Sequence, residues 1–441
     1  MKVSVIGLGK LGASMAATFA AKGFDVRGVD RNPQTVDLIN RGLPPVREPQ
    51  LAEMMARAED RLTAGDDIET AVSETDASFI VVATPSEPGG GFSLQDVAPV
   101  CAAIGRGLAK QRGYHVVCLT STVMPGSTGA AVRDMLERES GKRCGTDFGL
   151  CYSPEFVALG TVIRDFINPD MLLIGESDRR AGDVLEGIYR RVCENEPVAA
   201  RMSFVEAEIT KLAVNSFITT KISFANMLAR ISERFAGANV DVITHALGLD
   251  SRIGAKYLTG ALSYGGPCFP RDNRAMSALA RDLGIPRDLP EAVDQFNNAQ
   301  IAWLADQVAL RTTGAVGVLG LTYKPETDVL DHAAGLLLCR ELSQRGYSVL
   351  AYDPSILASA SPVMPDRVRL TATARECVIN ADLVVLATPW TEFTSLASIA
   401  LADWARPASP RVVLDCWRVL RHLRATPGID YLGLGLGERF A

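Results

Sequence analysis

The chain has only four histidines, and its nine cysteines (101, 118, 144, 151, 193, 268, 339, 377, 416) never fall in a CxxC spacing. A zinc site built on Cys/His pairs is therefore not indicated, and an odd, scattered set argues against a disulfide framework. No run of basic residues occurs, and a net charge of -6 excludes nucleic acid or an anionic membrane as the main partner. The longest apolar runs, at 3–8 and 383–388, are strand-sized, far short of the roughly 20 residues that span a bilayer. No signal peptide precedes the first strand, so a cytoplasmic location is expected. Lysine is scarce too, with nine among 45 basic residues, so a lysine on a buried face carries more weight than usual. A chain of 441 residues exceeds the size at which single cores stop growing, about 250–300 residues, and is expected to form two or three domains.

Val3-Ser4-Val5-Ile6 reads as a buried strand leading into Gly7-Leu8-Gly9-Lys10-Leu11-Gly12 and a helix over 13–22. This strand, glycine turn and helix together form the dinucleotide fingerprint. Two glycines allow the tight turn and the approach of a pyrophosphate, the third packs helix on strand, and the helix N-terminus offers amide donors. A second strand over 25–29 ends at Asp30, where the acid that holds the ribose hydroxyls belongs, which favours NAD over NADP.

Further apolar strands end in polar turns: 78–83 in Thr84-Pro85-Ser86, 115–119 in the hydroxyl-rich stretch from Thr120 through Ser121 and Thr122 to Thr128, and 148–152 in Ser153-Pro154-Glu155-Phe156. Ligands of open parallel sheets bind beyond the carboxyl ends of the strands. These turns are therefore placed to touch cofactor or substrate, although turn and capping chemistry alone would also use Ser and Thr there.

A long helix is expected from Ser203, where Ser203 and Glu206 fit a capping box, to about Phe235. Lys211 and Asn215 share one of its faces, and apolar residues on more than one face mark it as a spine that packs on both sides, with a second copy of the chain as one candidate. Beyond it lies Tyr264-Gly265-Gly266-Pro267-Cys268-Phe269-Pro270-Arg271-Asp272, a thiol between a glycine pair and a proline-pinned turn, followed by a cation and a carboxylate. Such a context suits a nucleophilic cysteine. From residue 315 a second α/β unit begins, with a glycine turn but no full fingerprint. The fold expected is α/β: two Rossmann-like domains (1–200 and 313–441) joined by a long central helix and a helical dimerisation region (201–312) that carries the cysteine loop.

In this order the motifs resemble the UDP-glucose/GDP-mannose dehydrogenase family nearly end to end: residues 7–12, 121–128, 153–156, Lys211 with Asn215, Arg252-Ile253-Gly254, 264–272, and 319–325 with Thr327-Asp328. The resemblance implies NAD-dependent, four-electron oxidation of the C6 alcohol of a nucleotide sugar to a uronate through a Cys268 thiohemiacetal and thioester. It implies that Lys211 stabilises an oxyanion or acts as base, that Asn215 orients the C6 oxygen, and that Glu155 and Asp272 position or activate water. Thr122 would sit by the nicotinamide. The cofactor contacts would be Gly7 to Gly12, Asp30, Thr84, Pro85, Ser121, Thr122 and Arg271. Phe156, Lys211, Asn215, Tyr264, Gly265, Gly266, Tyr323 and Lys324 would meet the substrate, and Arg252 would reach the site of a partner subunit in a homodimer.

The chain departs from the family pattern at Asp331-His332-Ala333, where an arginine-glutamate-serine run is usual. Leu159 stands where an acid is usual, Arg271 where lysine is common, and Ala261 and Ser263 where glycine is frequent. The base and the hexose stay open among UDP-glucose, GDP-mannose, UDP-N-acetylhexosamines and other nucleotide hexoses. A two-electron hydroxyacid or sugar-phosphate dehydrogenase and a catalytically silent nucleotide-sugar sensor are the rival readings.

Overall fold

The computed structural model describes residues 1–356, 364–395, 399–406 and 409–437. The chain divides into two compact units, Met1–Ala213 and Val214–Ala441. The first is built on β1 (Lys2–Ile6), β2 (Asp25–Val29), β3 (Leu62–Gly65), β4 (Ala77–Ile80), β5 (Val116–Leu119), β6 (Gly149–Tyr152), β7 (Met171–Glu176) and β8 (Val198–Met202). They lie in the order β3-β2-β1-β4-β5-β6-β7-β8. The β6–β7 pairing alone is antiparallel, and since β8 runs parallel to β7, both strands oppose the first six. The first six strands follow the doubly wound Rossmann order, which reverses between β1 and β4.

Strands β4, β5 and β6 are buried at every residue, which explains why they read as continuous apolar runs rather than alternating ones. Alternate residues feed two cores. Val3, Val5, Phe79 and Cys118 pack with Phe19 and Phe166 on one face, and Ile6, Ile80, Val117 and Leu119 pack with Ile104 and Leu136 on the other. No motif in the sequence marks the stretch that forms β7, the helix Arg179–Val192 and β8. A pair of strands added antiparallel at the far side of a parallel sheet leaves no local signature.

In the second unit β9 (Val316–Leu319), β10 (Val349–Tyr352), β11 (Val368–Leu370), β12 (Leu383–Leu386), β13 (Arg411–Asp415) and β14 (Ile429–Gly433) form an all-parallel sheet in the order β11-β10-β9-β12-β13-β14. This repeats the Rossmann order, as expected. The two units also share a glycine device. Gly7 and Gly320 take φ of 96° and 93° at the ends of β1 and β9. A Cβ on Gly12 would overlap the Gly7 carbonyl oxygen, and one on Gly335 the Gly320 carbonyl oxygen. Between the paired glycines, however, the second unit carries ten more residues than the first.

The spine helix spans Phe204–Ser232, and the division between units falls within it. The Glu206 carboxylate accepts from the Ser203 amide at 2.8 Å and from its hydroxyl at 2.6 Å, so the serine hydroxyl donates to Glu206 and only the glutamate half of the capping box forms. The helix keeps large apolar side chains exposed, among them Phe217, Phe224 and Ile231, spaced by seven.

Candidate active site

The turn after β1 has the geometry a pyrophosphate needs. Gly9 is the N-cap of the helix Lys10–Ala21 and offers no side-chain cap, no acid occupies the first turn, and nothing lies within 4 Å of where a Gly9 Cβ would stand. A helix N-terminus without a side-chain cap or a first-turn acid fits the phosphates of NAD. At the end of β2, Asp30 takes the Leu8 amide on Oδ2 at 2.7 Å and the Asn32 amide on Oδ1 at 2.8 Å. These bonds hold the carboxylate beside the turn while it stays half-exposed.

The second unit treats the equivalent acid differently. At the end of β10, Asp353 is 2% exposed, and its Oδ2 accepts from the amides of Leu321 and Thr322, the Thr322 hydroxyl and the Trp390 indole N–H, all within 3.2 Å. That carboxylate is fully engaged inside the protein and has no bond to offer a ribose. The second unit thus repeats the Rossmann order with ten more residues in its glycine turn and with its acid engaged internally.

In the first unit the strand-end turns meet one another. The Thr84 hydroxyl donates to the carbonyl of Thr122 at 2.7 Å, and the Ser121 hydroxyl to that of Val82 at 2.6 Å. Pro85 is half-buried beside them. The loop beyond Thr122 is held by a residue that carries no motif in the sequence. Glu208 of the spine helix is completely buried, and its carboxylate accepts from the amides of Gly126 at 2.6 Å and Thr128 at 2.8 Å. No local signal marks it, because its partners lie about 80 residues earlier. Glu208→Ala strands two amide donors and is expected to cost roughly 2–4 kcal/mol, with Glu208→Gln costing less. Thermal denaturation of the two variants checks this.

Lys211, one turn further along the helix, is 7% exposed. Its ammonium donates to the backbone carbonyl of Glu155 at 2.7 Å and sits 4.4 Å from the centre of the Phe156 ring. The Glu155 carboxyl is pushed up to about 7 by burial, opposed by a hydrogen bond from Tyr189 and by the Lys211 charge. A carboxyl that titrates there is suited to proton transfer near neutrality.

In the second unit Cys268 is exposed, whereas six of the other eight cysteines are buried. The expected proline-pinned turn is in fact the start of a helix, Phe269–Asp282, with Cys268 as N-cap and Pro270 in the first turn. Proline is tolerated there because its missing N–H has no partner to lose. The thiol thus stands at the positive end of the helix dipole. Asp272 is 1% exposed. Its amide donates to the Cys268 carbonyl at 2.8 Å, and its carboxylate accepts from the Asn215 amide group at 2.6 Å and pairs with Arg271 at 3.4 Å. Two residues named separately from the sequence, Asn215 and Asp272, are thus direct partners.

The loop before the cysteine is tightly supported. Tyr264 is 5% exposed, and its hydroxyl meets Asp294 and Asn273, each at 2.9 Å. Its amide and carbonyl both bind the Asn297 side chain. A Cβ on Gly265 would overlap the carbonyl oxygen of His332, and one on Gly266 would stand 2.8 Å from the Tyr323 ring, while the Gly266 amide donates to Asp331 at 2.8 Å. The ten-residue insertion of the second sheet is therefore packed on the cysteine loop, and Asp331 and His332 contribute backbone to that contact. Lys324 has its ammonium 5.8 Å from the Tyr323 ring centre. Arg252 stands apart, its side chain 87% exposed and paired with Asp250.

No helix among the described residues is long and apolar enough to cross a membrane, and no group of His, Cys, Asp and Glu among them is arranged to hold a metal ion.

Three profiles of one family match the chain: the NAD binding domain over residues 1–193, the central domain over 205–299 and the UDP binding domain over 317–422. The UDP-glucose 6-dehydrogenase AglM of Haloferax volcanii is 36% identical over 441 residues, which cover 98% of this chain and all of that protein. A GDP-mannose 6-dehydrogenase of Pseudomonas aeruginosa is 35% identical over 363 residues, 81% of this chain and 82% of that one. The solved structure of a UDP-glucose dehydrogenase from Pyrobaculum islandicum superposes with a TM-score of 0.88 at 33% identity, covering 99% of this chain and 98% of its own. The chain belongs to the UDP-glucose/GDP-mannose dehydrogenase family.

Proposed function

We propose that the protein is an NAD-dependent nucleotide-sugar 6-dehydrogenase that oxidises a C6 alcohol to the acid, with UDP-glucose the first choice of substrate. The observation that carries this is an exposed Cys268 at a helix N-terminus, in a chain whose first unit has an open, uncapped glycine turn. Gly7 to Gly12 and Asp30 would hold NAD, which would accept one hydride per molecule, so two NAD molecules in succession would take the two hydrides lost by each sugar. The chain's own residues do the rest. A base takes the hydroxyl proton as the alcohol becomes an aldehyde. The Cys268 thiolate then forms a C–S bond to the aldehyde carbon, and the resulting alkoxide is stabilised or protonated by Lys211. Loss of the second hydride leaves a thioester, which water cleaves to release the acid and restore the thiol. Covalent capture retains the aldehyde and divides a hard oxidation into easier steps.

Glu155, titrating near neutrality, is suited to accept and return protons, and Asn215 with Asp272 to orient the C6 oxygen and the water. Thr122, Ser121, Thr84, Pro85 and Arg271 are assigned to the cofactor. Phe156, Gly265, Gly266, Tyr323 and Lys324 are assigned to the substrate, and Tyr264 to holding the loop through its internal bonds. The three-part division at about residues 200 and 312 assigns cofactor, catalytic and nucleotide-sugar roles in turn. A reducing, cytoplasmic compartment suits a cycle that needs a free thiol.

A homodimer, with Arg252 of each chain reaching the other's site, is part of the proposal. Phe217, Phe224 and Ile231 recur every seven residues along the spine helix, which keeps them near one face, and all are exposed in a single chain. Phe224→Glu is expected to convert the dimer to monomers in sedimentation experiments. An unchanged mass would remove this part of the proposal.

The substrate is tested by following NADH formation with NAD and a panel of UDP-, GDP-, TDP- and ADP-linked hexoses and N-acetylhexosamines. Turnover with a single preferred donor is expected. A panel that is bound without turnover would replace the enzyme by a nucleotide-sugar sensor.

A further inference from the structure

One buried group beside the proposed acid–base carboxyl has no part in the reaction as described. Tyr189 lies on the helix Arg179–Val192, on a buried face formed by Ala181, Leu185, Ile188, Tyr189 and Val192. It is 2% exposed. Phe79 and Phe166 meet its ring edge-on, with centroids 6.4 and 6.2 Å away. From this socket its hydroxyl donates to Oε1 of Glu155 at 3.0 Å. Glu155 belongs to the strand-end turn after β6, so the hydroxyl ties that turn to the helix Arg179–Val192.

We infer that Tyr189 is a positioning residue for the reaction: its hydroxyl fixes the Glu155 side chain and favours the carboxylate over the carboxylic acid. The inference rests on Glu155 being the acid–base group. Burial is the largest influence on that carboxyl and favours the neutral form, and the two opposing influences are the Tyr189 hydroxyl and the charge of Lys211. The lysine ammonium donates to the Glu155 backbone carbonyl, leaving Tyr189 as the group that bonds the carboxylate itself. Burial pushes the tyrosine well above its ordinary range, so it remains a donor at any working pH. The thiols that also face Glu155, Cys118 and Cys193, are pushed up to about 12 and about 11 by burial and carry no charge near neutrality.

The sign follows directly. Removing a donor to the ionised form raises the carboxyl further, so the pH below which activity falls moves upward. Tyr189→Phe keeps the ring and its packing and deletes only the hydroxyl. Its acid limb of kcat is expected about one pH unit above that of the parent, with the plateau at higher pH retained. Glu155→Gln is expected to abolish the limb. A Tyr189→Phe limb that does not move, with or without a drop in thermal stability, would overturn the inference while leaving the role of Glu155 intact. A Glu155→Gln enzyme that keeps both turnover and limb would overturn that role and the inference with it. Independently of turnover, the infrared band of a protonated carboxyl that Glu155→Gln removes is expected to titrate at higher pH in Tyr189→Phe. An unshifted band contradicts the inference.

Discussion

Cys268→Ser is expected to form no net acid and to lower acid formation by roughly a thousand-fold or more, the scale seen when an enzyme loses its nucleophile. A serine hydroxyl at the same N-cap keeps the shape of the site but lacks the thiolate that captures the aldehyde and the leaving group that a thioester provides. Because Cys268 is the exposed cysteine of the nine, alkylation gives a second form of the same test. One equivalent of a thiol reagent is expected to inactivate the protein, and bound nucleotide sugar to slow the loss. Full acid formation by the serine variant would remove the covalent route and favour a simpler dehydrogenase.

Asp272→Ala is expected to be the next most damaging change, lowering turnover about 10²–10⁴-fold. The carboxylate is almost wholly buried, is bonded to Asn215 and paired with Arg271, and sits one helical turn beyond the nucleophile. Its loss leaves the Asn215 amide without its acceptor and removes the group proposed to orient water. Asp272→Asn keeps the size and one oxygen but not the charge. If Asp272→Asn retains turnover within a few-fold, the aspartate's role is to hold Asn215; a loss close to that of alanine is the result expected if its charge acts on water. Steady-state kinetics with thermal denaturation of both variants separates these outcomes.

These expectations rest on parts of the molecule that were unequally visible in the sequence. The glycine turn was legible because each glycine answers to a separate steric demand, and apolar runs bounded by turn residues marked β1, β5 and β6 within a residue or two, whereas the run at 78–83 outlasts β4 by three residues. The cysteine loop was legible by its composition, but its conformation was misjudged: Pro270 reads equally as a turn or as the first turn of a helix, and the structure chose the helix. Tyr189 and Glu208 left no trace, since each acts on a loop far away in sequence and occupies an ordinary position on a helix. Asp353 shows the opposite difficulty. It stands where Asp30 does, at the end of a second strand, and only the donors converging on it reveal that it is closed to a ligand. In the sequence Asp331 and His332 stood out as a departure from the family's arginine-glutamate-serine run. In the structure these residues support the cysteine loop through their backbone, a role for which side-chain identity matters less.

The most direct test of the account is the number of NADH formed per molecule of nucleotide sugar when the sugar is limiting and the reaction runs to completion. Two NADH for each sugar, with the acid as product, is the result the account predicts. One NADH, with an aldehyde or ketone left as the final product, would contradict it.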